Sequence, residues 1–116
     1  MRLLTLRAME RAVKPPIVVT ELGDADIFES VEAAERYVEH YDVGDLTAYH
    51  SEGRLLRLLP TTPRITIEAA EWIPHHVEQT RKVLLQFLQA VGEPDETLSS
   101  RSLAELFAIA LKYKTR

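Results

Sequence analysis

Four histidines and eighteen carboxylates are the groups in this chain able to move protons or hold a metal, and their spacing argues against both roles. His75 and His76 are adjacent, so on a helix they diverge by about 100° and do not face one ion. Glu71 lies four residues before His75, yet Pro74 interrupts any helix they would share, so the paired-ligand geometry of a zinc helix is not met. Both histidines read as exposed groups at a helix start. His50 falls in an alternating strand, where cross-strand packing explains it better than a general-base role. The chain has no cysteine, hence no thiolate nucleophile, zinc–thiolate site or disulfide. Ser51, Ser99, Ser100 and Ser102 occur in turn or capping contexts, and none sits in a G-x-S-x-G elbow. Gly23, Gly44, Gly53 and Gly92 are isolated from one another, so no phosphate-cradling loop can be assembled. No catalytic residue, metal or cofactor is expected.

What remains is charge. Glu32, Glu35 and Glu39 recur at helical spacing, and Asp42 and Asp45 continue the acidity into the next loop. Such a ridge could dock a basic partner and speed its encounter, or simply be a solvated face. It lacks the alternating ligands and central glycine of a calcium loop. Tyr49 on a strand and Trp72 at a strand end would be binding anchors if they prove exposed beside that ridge; otherwise they are core.

The elements that position these groups follow from pattern and punctuation. Residues 17–21 are β-branched and predict a strand, and residues 26–28 a second short strand or its continuation after a turn at Gly23 and Asp24. Ser30 is an N-cap for a helix to about residue 40, with Val31, Ala34, Val38 and Tyr41 on its apolar face. Residues 46–50 and 54–59 predict a hairpin around Gly53, and residues 64–72 a further strand. A long helix, with Pro74 in its first turn, runs to Val91 before Gly92 and Pro94. Ser102 and Glu105 form a capping box that opens the last helix. Runs of strands followed by runs of helices indicate an α+β fold: an antiparallel meander of three or four strands, one helix between strands, and two C-terminal helices packed on the sheet, with helices on one face.

The length of 116 residues fits one domain, and 46% apolar with 28% charged residues is ordinary for a soluble globular chain. Residues 1–14 carry Arg2, Arg7, Arg11 and Lys14 against Glu10, a balance of +3; the rest carry ten bases and seventeen acids, a balance of −7. A body so acidic repels nucleic acid. No run of residues is long and apolar enough to predict a membrane span. Pro15 and Pro16 divide the chain into a basic extension or short helix over residues 1–16 and a single domain over residues 17–116.

One pattern goes further. Asp26-Ile27-Phe28, Ser30, Glu32, Ala34-Glu35, Tyr37 and Glu39, followed by Asp42-Val43, Tyr49 and Glu52-Gly53-Arg54-Leu55, resembles small uncharacterised bacterial proteins akin to immunity proteins of polymorphic-toxin systems. It covers residues 26–55 and consists largely of caps, core positions and a hairpin turn. The resemblance implies a non-catalytic cytoplasmic protein that neutralises a basic toxin; the acidic ridge and the two aromatics, read from the residues themselves, make Glu32, Glu35, Glu39, Asp42, Asp45, Tyr49 and Trp72 the expected contact residues. The alternative is a structural or regulatory module that dimerises through its C-terminal helices, whose apolar faces look wide for a monomer. A small hydrolase using His50 or His75 is a distant third.

Overall fold

The computed structural model describes residues 13–22, 24–38, 40–61, 64–71 and 73–113. Five strands form one antiparallel sheet: β1 (Ile17–Glu21), β2 (Asp24–Phe28), β3 (Thr47–His50), β4 (Leu55–Thr61) and β5 (Arg64–Ala69). Their order is β2-β1-β3-β4-β5, so β2 and β5 are the edges. Helix α1 (Val31–Tyr37) and a 3-10 helix (His40–Asp45) connect β2 to β3, while α2 (Val77–Ala90) and α3 (Leu103–Leu111) follow the sheet. The class is α+β, as the pattern predicts, with one strand more than expected.

The helix placement departs from expectation. Helices cover both faces of the sheet, not one. Ile17, Val18 and Val19 are all buried, and the alternation of a strand sends them to opposite sides. Val18, Ile27 and Tyr49 pack with Leu84 and Leu88 of α2 and with Leu103, Leu106, Phe107 and Ala110 of α3. Ile17, Val19, Phe28, Ala48, Leu56, Ile65 and Ile67 pack with Ala34 and Val38 from the α1 side. Helices α2 and α3 thus bury apolar residues against each other and the sheet.

Local chemistry accounts for the boundaries. The Ser30 hydroxyl accepts the Ala33 N–H at 3.1 Å and caps α1. The helix ends at Tyr37, shorter than the periodicity suggests, because Val38 turns to extended backbone (φ −78°, ψ 126°) while remaining buried. Helix α2 starts at Val77, with Pro74 ahead of it instead of inside its first turn. Gly92, at φ +80°, ends it. At α3 the capping box is complete: Ser102 Oγ accepts the Glu105 N–H at 3.1 Å, and the Glu105 carboxylate accepts the Ser102 N–H at 2.9 Å. The segment before β1 is tied in as well, since Val13 packs on the α1-side core and Lys14 O accepts the Ser51 N–H at 3.1 Å.

Candidate protein-binding surface

Among the described residues, the expected contact residues do not assemble into one ridge. Glu32 and Asp45 are exposed. Glu35 is turned inward along the helix flank, where its carboxylate accepts the Ile67 N–H of edge strand β5 at 2.9 Å. Tyr49 is 8% exposed and sits in the core under α2 and α3, on the opposite side of the sheet from α1, so it offers no surface to a partner. Burial and the nearby Glu71 carboxylate push its phenol above the usual value of 10.0. Glu39, Trp72 and the side chain of Asp42 lie outside the described residues.

A different set of acids is brought together. In β2, Asp24 and Asp26 alternate onto the α1 side of the sheet, in register with Glu21 and Val19 of β1. With Tyr37, Val38 and Leu46 they line a concavity of about 380 Å³. Glu21 and Asp24 are directly opposed across the hairpin, an arrangement of like charges that costs stability. Around the Tyr37 ring lies a second, more apolar concavity of about 320 Å³, lined chiefly by Ile27, Phe28, Ala33, Tyr37 and Leu111, with Glu29 and Arg36 also on its wall. Tyr37 is 45% exposed and is the shared wall, its ring held 5.1 Å from that of Phe28. At the hairpin tip Leu22 is 99% exposed and has φ +50°. The sequence signal for this surface was the Asp-x-Asp alternation in residues 24–26, which gains meaning only once β2 is known to be an edge.

The histidines follow neither catalytic expectation. His75 is exposed. His50 is completely buried, and its Nδ1 accepts the Glu52 backbone N–H at 3.0 Å. The ring that meets an acid is that of His76, whose Nδ1 lies 2.9 Å from Glu71 Oε1. Burial works to raise the Glu71 pKa, but hydrogen bonds from Leu55 N–H, His76 and His75 N–H prevail and hold it below the usual carboxylate range. Glu71 Oε2 takes the Leu55 N–H at 2.8 Å and the His75 N–H at 3.1 Å, so this carboxylate staples the start of β4 to the approach of α2. Neither concavity reaches it. Among the described residues no three His, Asp or Glu side chains are arranged for a metal ion, and no helix is long and apolar enough to cross a membrane. The chain matches no protein family, no curated protein and no solved structure.

Proposed function

We propose that this protein works by contact, as a small acidic domain that binds a basic protein partner through the β2–α1 surface, in the manner of a toxin-neutralising immunity protein. The observation that carries the reading is the concavity that sets Glu21, Asp24 and Asp26 beside the half-exposed Tyr37. Clustered carboxylates raise association rates with cationic partners, and a tyrosine at the centre of such a surface supplies an anchor of low entropic cost. The opposed Glu21 and Asp24 and the left-handed backbone of Leu22 support it further, since each is unfavourable for the isolated fold.

Co-expression with the product of the adjacent reading frame, followed by association kinetics at low and high salt, tests the reading. Reversing charge at Glu21, Asp24 and Asp26 together should slow association by at least tenfold at low salt and far less at high salt. An unchanged rate constant, or no complex with a cationic neighbour, would reject it.

A further inference from the structure

The more apolar of the two concavities lies at the β2 edge of the sheet, where the two cores meet. Ile27 belongs to the core beneath α2 and α3, and Phe28 to the core on the α1 side, because successive residues of a strand point to opposite faces. Ala33 and Tyr37 of α1 and Leu111, the last residue of α3, complete its apolar lining. Among the described residues no strand other than β1 pairs with β2, so the sheet itself does not close this space. Its volume of about 320 Å³ is at the small end for ligand pockets and suits one large side chain.

Charge identifies the visitor. Glu21, Asp24 and Asp26 line the neighbouring concavity, and Glu29 and Arg36 stand on the wall of the apolar one; four acids against one base make a balance of −3. A surface of that sign favours a cationic visitor. Arg36 repels a cation from the apolar concavity, while covering the carboxylates of the other with an apolar group would desolvate them without compensation. The pair therefore sorts a visitor's side chains, apolar into one and cationic over the other. Tyr37 is a wall of both, so the two occupants are separated by a single side chain. Residues i and i+2 of an extended segment, about 6.6 Å apart on the same side, match that separation.

Resting on the contact reading above, we propose that the apolar concavity takes one large apolar side chain of the basic partner, and that a lysine or arginine two residues away on an extended segment lies over Asp24 and Asp26.

The whole chain titrated with capped synthetic peptides, followed by amide chemical shifts and calorimetry, tests this. The probes carry leucine and arginine two residues apart in a glycine–serine frame, with leucine→alanine and arginine→glutamine controls. The leucine–arginine peptide should bind saturably and move the amides of Phe28, Ala33, Tyr37 and Leu111. The alanine control should bind roughly tenfold more weakly. Ala33→Met, which fills the concavity, should remove that tenfold difference and leave the alanine control's affinity unchanged. Should it fail to fold, Leu111→Gln makes the opposite wall polar and serves the same purpose. Arginine-dependent binding that is indifferent to leucine, or to Ala33→Met, would overturn the inference and leave the contact reading standing. Leucine-dependent binding that is indifferent to arginine and to salt would overturn both. Absence of saturable binding by any peptide at millimolar concentration would also overturn the inference. So would self-association of the free chain that Ala33→Met abolishes, since the occupant would then be a second copy.

Discussion

The carboxylate of Glu35 accepts the backbone N–H of Ile67 at 2.9 Å, so a helix on one face of the sheet closes part of the edge strand β5. Edge strands present unpaired backbone groups that invite pairing with other chains. Glu35→Ala should lower stability by about 1–2 kcal/mol and raise aggregation on heating, and Glu35→Gln should recover part of both. Urea midpoints and light scattering read the two effects. A wild-type midpoint for Glu35→Ala would mean that water replaces the bond at no cost.

Glu71 ties the start of β4 to the approach of α2 through one side chain, accepting from Leu55, His75 and His76. Glu71→Ala leaves two backbone donors without their charged acceptor and should cost about 3 kcal/mol. Its pKa is depressed in the fold, so the stabilisation is present above the unfolded value near 4.5 and is lost as pH falls below it. Acid unfolding of Glu71→Gln should therefore be less steep than that of the natural sequence between pH 5 and about 3. Parallel curves would place the acid sensitivity elsewhere.

Gly53 and Gly92 share a left-handed backbone, at φ +82° and +80°, but not a setting. A Cβ at Gly53 would lie 2.6 Å from the Val77 Cα, whereas nothing approaches Gly92 within 4 Å. Gly53→Ala should cost about 2–5 kcal/mol, strain and overpacking together, and Gly92→Ala about 1 kcal/mol. Equal losses in denaturant titrations would mean that the hairpin does not press on the helix start.

Leu22 is placed where leucine is poorly suited, left-handed at φ +50° and 99% exposed. Leu22→Asn should raise stability by about 1 kcal/mol, because asparagine tolerates that backbone. The same change should weaken the partner complex if the hairpin tip contributes to it. A gain in Tm with undiminished affinity would remove Leu22 from the interface.

Burial first, then the charges of Arg54 and Lys14, hold the His50 imidazole below its ordinary 6.5, against the opposing Glu52 carboxylate and a backbone hydrogen bond. Below pH 6.5 the unfolded chain takes up a proton that the folded chain refuses. Stability is thus complete above 6.5 and declines from there down to the lowered folded value. The slope attributable to His50 approaches about 1.4 kcal/mol per pH unit. Urea midpoints between pH 7.5 and 5 should fall accordingly, and a flat profile would show that the folded ring takes up its proton as readily as the unfolded one.

Much of the architecture was legible from local chemistry. Strand β1 matches residues 17–21, and Ser30, Ser102 and Gly92 cap helices as their residue types predict. The second helical layer is also written in the sequence: Ile17-Val18-Val19 is a continuous apolar run, which marks a strand covered on both faces. The length of α1 was overestimated because Val38 keeps the helical apolar spacing while leaving the helix, and burial alone does not distinguish the two backbones. The expected acidic ridge rested on helix periodicity, which places Glu32 and Glu35 near one another but says nothing of β5 alongside, to which Glu35 is committed. The shared side of the β2 acids depends on the register with β1, a long-range property that local pattern does not carry. Glu71 likewise acts on Leu55, sixteen residues away.

The two faces of the sheet are covered unequally. On one lie α2 and α3, 14 and 9 residues long, which bury Leu84, Leu88, Leu106 and Phe107 at 1% exposure or less. On the other the only α-helix among the described residues is the seven-residue α1, whose one buried residue is Ala34. Amide protons there should exchange through partial opening at lower free energy than those beneath the C-terminal pair. The molecule thus has a firm back and a yielding front, and the yielding front carries the carboxylates and Tyr37, so a visitor can reshape that side without unfolding the rest.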